Sequence, residues 1–100
     1  MAKRIEWTET SFRDRVNIYR YWSDRNKSVA YSEKLEALFR EAANLISNFP
    51  EVGIETDFPG LRIKVVKYYK LFYHIREEAV VIIRVWDTRR NPDSLVTKDQ

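Results

Sequence analysis

The hydrophobic pattern of this chain changes period at the pair Pro59-Gly60. Before the pair, apolar residues recur every three or four positions, which predicts amphipathic helices over residues 9–25 and 29–49. After the pair, apolar and polar residues alternate, or the run is almost wholly apolar, which predicts three consecutive strands over residues 61–65, 69–75 and 79–86. A chain with this order must place its helices on an antiparallel sheet.

Capping and turn residues set the limits of these elements. Residues 3–7 alternate and predict a short first strand, after which Thr8 supplies a helix N-cap. The polar break at residues 26–28 is short, so the two helices form an antiparallel hairpin. Phe49-Pro50 ends the second helix, and Glu77-Glu78 supplies a strand turn. The expected fold is α+β with two layers: an N-terminal strand, an antiparallel helix hairpin packed on an antiparallel sheet, and a C-terminal three-stranded meander whose last strand is central.

Length and composition limit the kind of protein. One hundred residues, 44% of them hydrophobic, are enough for one core, so we expect a single domain over residues 1–100 with 91–100 as a mobile tail. The absence of cysteine excludes disulfides, thiolate metal sites and a cysteine nucleophile. The polar N-terminus and the lack of long apolar runs predict a soluble, cytoplasmic protein without a signal peptide or membrane span. The helical aromatics are expected in the core: Phe12, Tyr19, Trp22, Phe39 and Phe49.

Basic residues are concentrated late in the chain. Residues 61–90 hold 8 basic and 3 acidic side chains, whereas residues 1–60 hold 9 and 10. Strand alternation sorts the late segment into two faces. If the uniformly apolar set, such as Leu61, Ile63 and Val65, packs on the helices, the other face is basic with interleaved aromatics: Arg62, Lys64, Lys70, Phe72, His74, Arg84 and Trp86. Arg89 and Arg90 would lie at its rim.

This predicted basic face has two interpretations. Cations and aromatic rings on one surface suit RNA or single-stranded nucleic acid, because cations contact phosphates and rings stack on bases. Alternatively, an exposed sheet face is simply polar, and lysines and arginines there oppose aggregation. Composition alone favours the second interpretation.

Three stretches, in this order and spacing, resemble the RelE/ParE superfamily, the toxins of type II toxin–antitoxin modules. They are "IEWTETSF", "LFREAANLISNFPEVG" and "LRIKVVKYYKLFYHIREEAVVIIRVWDTRRNP", and the resemblance covers roughly residues 4–92. It implies a RelE/ParE-like fold. RelE-like and YoeB-like members are endoribonucleases that cleave messenger RNA in the ribosomal A site, whereas ParE-like members poison DNA gyrase. In both cases the partner is an antitoxin whose C-terminal segment wraps the toxin.

The resemblance also implies site residues. Lys70 matches the basic residue of a family strand, Arg89 or Arg90 matches an arginine at the end of the last strand, and other basic residues precede them. In the ribonucleases such groups stabilise charge on the phosphate and supply a proton, with no metal and no cofactor. The resemblance and the predicted basic face together give the expected catalytic residues: Arg62, Lys70, His74, Asp87 and Arg90. The RNA-binding residues expected are Lys64, Lys67, Phe72, Arg84 and Arg89.

The chain departs from the family pattern near its C-terminus, and this affects the candidates Asp87 and His74. The chain lacks the late His-Tyr pair of YoeB-like members, and Asp87 stands where many relatives have histidine. Asp87 could be a general base, could pair with Arg89 or Arg90, or could cap the turn, and pairing or capping is favoured. His74 is the single histidine, and an imidazole can transfer protons near neutral pH, but a lone strand histidine is more often a surface polar residue.

The sequence thus leaves three functional hypotheses. The favoured one is a toxin that inhibits translation by metal-independent cleavage of messenger RNA on the ribosome. The alternatives are a ParE-like inhibitor of DNA gyrase without nuclease activity, and an inactive homologue. A cognate antitoxin is the expected protein partner, beside messenger RNA and the ribosome or gyrase, and no small-molecule cofactor is expected.

Overall fold

A computed structural model describes residues 2–89 of the chain. Its helices are α1, Glu9–Asn26, and α2, Ala30–Asn48. Its strands are β1, Arg4–Trp7; β2, Ile54–Glu55; β3, Leu61–Val66; β4, Tyr69–Ile75; and β5, Ala79–Asp87. A 3-10 turn, Pro50–Val52, follows α2. The predicted elements are all present with boundaries shifted by at most one residue, and the two-residue β2 is an addition that the sequence pattern did not predict.

The strands form one sheet in the order β1-β5-β4-β3-β2. Strand β1 lies parallel to β5, with Arg4 opposite Ala79 and Trp7 opposite Ile82, and all other neighbours are antiparallel. The predicted α+β fold is confirmed, and the most apolar strand, β5, lies inside the sheet as expected. Strand β1 is therefore one edge strand of the sheet and lies beside the last strand, β5.

The core lies between α2 and the middle strands. Helix α2 contributes fully buried side chains such as Leu35, Phe39 and Ile46. The sheet contributes Tyr69, Leu71, Tyr73, Val80, Ile82 and Val85. Within residues 2–89, neither helix is long and apolar enough to cross a membrane.

Polar contacts help to attach helix α1. Thr8 caps its N-terminus by accepting a hydrogen bond from the Ser11 N–H. Arg15 pairs with Glu36 of α2 at 2.5 Å, and the Tyr19 hydroxyl donates to Glu33, which raises the pKa of Tyr19. Ser11 is the one fully buried residue of α1, and Ile18 and Trp22 pack partly buried against the core beside these polar contacts.

The expectation that all five helical aromatics lie in the core is wrong for three of them: Tyr19 is half-buried and does not pack on the core cluster, and Phe12 and Phe49 are exposed. Phe39 is buried, and Trp22 packs partly buried against the core. Phe12 and Phe49 are 56% and 63% exposed. Other residues of α1 face α2 and the sheet, which leaves Phe12 exposed. Phe49 lies one residue beyond the end of α2.

The face assignment of β3 is also wrong. Val66 is opposite Tyr69, Lys64 opposite Leu71 and Arg62 opposite Tyr73. Directly opposed residues of antiparallel strands share a face, and Tyr69, Leu71 and Tyr73 are buried under the helices. Arg62 and Lys64 therefore lie on the helix side of the sheet, and Leu61, Ile63 and Val65 lie on the open face.

A bulge changes the alternation of β5. Phe72 is opposite Arg84 and Tyr73 opposite Ile82, so Ile83 is an extra residue without a β4 partner. Before the bulge Val80 and Ile82 face the helices, and after it Val85 does. Strict alternation along β5 would put Val81, Ile83 and Val85 on the helix face, but the bulge puts Val80, Ile82 and Val85 there instead.

Candidate functional site

The structure distributes the predicted site residues over three places. Lys70, Phe72 and His74 alternate on the open face of β4, away from the helices. Arg62 and Lys64 lie on the helix side of β3. The remaining described residues lie around the β3–β4 turn and along the second half of β5: Lys67, Arg84, Asp87 and Arg89. Arg90 and the predicted tail lie outside the described residues. The cations predicted to share one basic face are thus divided.

Arg62 holds a neighbouring segment in place. Its Nη1 donates to the carbonyls of Glu51 at 3.2 Å and Gly53 at 2.8 Å, and its Nη2 pairs with the Glu55 carboxylate at 3.1 Å. The cation therefore fastens the stretch from the 3-10 turn to β2 onto β3.

The Tyr73 hydroxyl holds the same stretch from the buried side of the sheet. Its hydroxyl accepts from the Gly53 N–H at 2.9 Å and donates to the Pro50 carbonyl at 2.7 Å. Burial raises the pKa of Tyr73, so the phenol stays neutral and keeps its proton for this bond.

Arg84 is paired with a carboxylate of α1. Its Nε and Nη2 donate to the two oxygens of Asp14 at 2.9 and 3.2 Å, and both side chains are nearly buried. Asp14 Oδ2 also accepts the Val85 N–H at 2.9 Å. Because β1 ends at Trp7, Asp14 takes the place that a strand partner would occupy beside β5. The expected placement of Arg84 on an exposed basic face is not what the structure has.

Asp87 and Arg89 form a compact pair after β5. The Asp87 carboxylate accepts from Arg89 Nε at 2.9 Å and Nη2 at 2.7 Å, and from the Arg89 backbone N–H at 2.9 Å. These bonds raise the pKa of Arg89 above its ordinary value. Asp87 thus makes both the pairing and the turn-capping contacts that the sequence favoured. Its catalytic role and those of the other candidates stay predictions.

Aromatic rings surround this pair. The Arg89 guanidinium lies 5.7 Å from the Trp22 ring centre and 5.6 Å from that of Tyr68, within the range of cation–π contact. Trp22 in turn donates from Nε1 to the Tyr69 hydroxyl at 2.8 Å. Sequence reasoning did not identify Asp14 as a neighbour of Arg84 or Trp22 as a neighbour of Arg89. The hydrophobic period of a helix or strand does not indicate which side chains of α1 and β5 meet.

A cleft of about 400 Å³ opens between α1 and the second half of β5. Arg89, Asp87 and Tyr21 line one part of it, and the Asp14–Arg84 pair lines another. Its walls hold two cations and two carboxylates that bind each other, so the cleft offers polar groups with little net charge.

A second, more apolar groove of about 550 Å³ runs between α2 and β3. Leu38, Leu45 and Phe49 line its helix side, and Val65 and Lys64 line its strand side. Strand β2 pairs with β3 at Arg62 and Ile63, so among the described residues the outer edge of β3 has no strand partner at Val65. This groove combines exposed apolar side chains with an open strand edge.

The open face of the sheet is less basic than predicted. Leu61 lies beside His74, Ile63 beside Phe72 and Val65 beside Lys70. Apolar side chains of β3 thus lie next to Lys70 and His74 on this face. Among residues 2–89, no group of three or more histidine, aspartate or glutamate side chains could hold a metal ion.

Comparison with known proteins decides the family. A family model described as "ParE toxin of type II toxin-antitoxin system, parDE" matches residues 5–92. The chain belongs to the ParE toxin family. This ParE-family chain is therefore the toxin component of a type II toxin–antitoxin system, and its membership supports a cognate antitoxin as partner. The resemblance to the RelE/ParE superfamily is confirmed.

A solved structure agrees on the fold. A chain of the "Chromosomal ParDE TA system from P. aeruginosa" superposes on this ParE-family chain with a TM-score of 0.75, covering 88% of this chain and 98% of the other. The two are 14% identical, so the similarity concerns the fold. No curated protein matches the sequence.

Proposed function

We propose that this toxin acts by binding a protein target, DNA gyrase as the family resemblance implies for ParE-like members, and that it does not cleave RNA. The observation that carries this proposal is the pairing of the predicted phosphate-contacting arginines. Arg84 is held by Asp14, Arg89 by Asp87, and Arg62 by two carbonyls and Glu55.

Cleavage through the 2′-hydroxyl without a metal needs several cations around one phosphate. A carboxylate already bound to each arginine competes for its donors and repels the phosphate. Engaging RNA with Arg84 would also separate a nearly buried ion pair, which costs several kcal/mol. These arginines are therefore better suited to holding the toxin's shape than to stabilising a transition state.

The distance between Lys70 and His74 on the open face supports the same proposal. Lys70 and His74 are four residues apart on one strand. At roughly 3.3 Å per residue, their backbones are about 13 Å apart. Two groups at that separation do not both contact one phosphate unless the long lysine side chain bends towards the histidine.

Cleavage of messenger RNA is the second candidate, and one observation favours it. Lys70, Phe72 and His74 do share the open face of β4. A cation, a ring able to stack on a base and a group able to transfer a proton are the components that such a reaction needs.

We assign the apolar groove between α2 and β3 to the antitoxin. Leu45 and Phe49 expose apolar surface there, and the open edge of β3 beside Val65 offers backbone hydrogen bonds. An extended segment with alternating apolar side chains could use both features, as strand-addition complexes do.

One comparison of activities tests the proposal. Toxin separated from its antitoxin is added to a gyrase supercoiling assay, and messenger RNA from cells expressing it is analysed by primer extension. We expect inhibited supercoiling, relief by the antitoxin, and the same inhibition from a Lys70→Ala, His74→Ala double variant.

In-frame cuts in translated messages that disappear in the double variant would overturn the proposal in favour of ribonuclease activity. Normal supercoiling together with intact messages and normal cell growth would instead support the inactive-homologue hypothesis.

A further inference from the structure

We propose that the toxin contacts its protein target through the surface at the β3–β4 turn, here called the turn-end surface, formed by Tyr21, Lys67, Tyr68 and Arg89 around the mouth of the α1–β5 cleft. The matching patch on the target is acidic and carries a side chain that enters this cleft. This inference rests on the proposed protein-target function and goes beyond it by placing the contact.

Three elements meet at the turn-end surface. The Thr88 N–H donates to the Tyr68 carbonyl at 2.8 Å, which joins the segment after β5 to the turn. The bond from Trp22 to Tyr69 brings the last turns of α1 to the same place. Tyr21 and Tyr68 are 50% and 56% exposed, although each has a large ring. The surface is therefore built on the sheet and on α1 together.

The composition of this surface is that of a binding site for protein. Tyrosine, tryptophan and arginine dominate the residues whose removal costs most in protein interfaces. Arg89 is fixed by two bonds to Asp87 and lies between Trp22 and Tyr68, and its side chain is still 48% exposed. A side chain fixed before binding loses little freedom on binding, so it makes a good anchor.

Lys67 has a backbone conformation that lysine seldom adopts. Its φ is 56°, in the left-handed region that glycine and asparagine adopt at lower cost. Strained residues of this kind occur most at binding and active sites. The turn itself would be satisfied by glycine, so the geometry points to a role for the lysine side chain.

The charges favour a protein over a nucleic acid. Among residues 2–89, Lys67 forms no ion pair with a carboxylate, so its cation is available at this surface, whereas Arg89 is paired with Asp87. Asp87 would repel a phosphate at Arg89 but leaves the flat faces of the rings available to apolar and acidic side chains. The cleft, about 400 Å³ with polar walls, has room for an entering side chain.

The test uses two variants and a matched control in the full chain. Lys67→Gly removes the cation while relieving the backbone, so the protein should fold at least as well as the wild type. Tyr68→Ala removes the ring. Phe12→Ala is the control, because Phe12 is equally exposed at 56% and lies away from the turn.

We expect Lys67→Gly and Tyr68→Ala each to weaken inhibition of gyrase supercoiling by about tenfold or more, the loss typical of a dominant interface residue. Phe12→Ala should inhibit as the wild type does. All three should bind the antitoxin unchanged. A Lys67→Arg variant, which keeps a cation at this position, should inhibit as the wild type does.

Inhibition unchanged in both variants, with a wild type that inhibits gyrase, would overturn this inference and leave the proposed function in place. A wild type that does not inhibit gyrase would contradict the proposed function, and the surface is then judged by growth arrest: arrest unchanged in both variants overturns it, and arrest lost with antitoxin binding intact supports it. Binding of a labelled single-stranded RNA that the variants lose would overturn it in favour of a nucleic-acid contact.

Discussion

At the scale of single residues, the cluster around Gly53 explains why a residue predicted to act on RNA is needed in the fold. Gly53 donates to Tyr73, and Arg62 binds the Gly53 carbonyl. The backbone of Gly53 is ordinary, with φ −75°, so conformational freedom is not the reason for glycine here. A Cβ at this position would lie 2.5 Å from the Tyr73 hydroxyl and 2.8 Å from the Ile63 carbonyl. Glycine is required by this close approach.

We therefore expect Gly53→Ala to destabilise the protein by about 2 kcal/mol, the usual cost of overpacking. The buried phenol and the backbone carbonyl cannot both move away. Urea unfolding of the toxin measures the change. Gly60→Asn is the control, because Gly60 has a φ of +80° that asparagine tolerates, and a Cβ there would meet only His74 Nδ1 at an ordinary contact distance of 3.9 Å. Equal midpoints for Gly53→Ala and the wild type would contradict the close-approach argument.

At the scale of elements, α1 is held at the edge of the sheet by one aspartate. Asp14 binds Arg84 and also accepts the Val85 N–H. It thereby continues the pairing of β5 beyond the end of β1. The contacts of this carboxylate thus fix the helix to the strand in addition to the packing of Ile18 and Trp22 on the core.

Asp14→Ala should lower the free energy of unfolding by about 3 kcal/mol, because it leaves the nearly buried Arg84 without this carboxylate partner and Val85 without its acceptor. Amide hydrogen exchange at Val85 should accelerate more than at Leu71, which pairs within the sheet. Glu9→Ala is the matched control, since the ion pair from Glu9 to Arg13 is exposed and should contribute little. Similar unfolding of both variants would contradict the anchoring role.

The elements also mark where sequence reasoning succeeded and failed. Periodicity placed the helices and the long strands because each buries a regular face. It failed on β3, because alternation separates Arg62 and Lys64 from Leu61 and Ile63 without saying which set faces the helices. The two-residue turn that places Val66 opposite Tyr69 was the signal that could have decided it. The bulge at Ile83 and the pairing of Asp14 with Arg84 have no such signal, since each depends on contacts between distant segments.

At the scale of the molecule, the proposed contacts use separate surfaces. The apolar groove lies between α2 and the outer edge of β3, whereas the turn-end surface lies between α1 and the end of β5. If both assignments hold, an antitoxin bound in the groove would neutralise the toxin by blocking the approach of a large target rather than by covering the turn-end surface.

Phe49→Glu should weaken antitoxin binding at least about tenfold, because a charge would be buried in an apolar contact. The fold should be little affected, since Phe49 is 63% exposed. Calorimetric titration of toxin with antitoxin measures the change. Phe58→Glu is the control, because Phe58 is 67% exposed and lies outside the groove. If both variants bind alike, the groove is not the antitoxin site.

The parallel pair of β1 and β5 has a consequence for the time at which the toxin becomes active. Strand β1 lies far in sequence from its partner: the Thr8 hydroxyl, just after β1, donates to the Ile83 carbonyl, 75 residues later. At about 5 to 20 residues per second, synthesis of the residues between them takes roughly 4 to 15 s. Strand β1 cannot pair with β5 during that interval, so a nascent toxin does not yet present the surfaces that depend on this pairing.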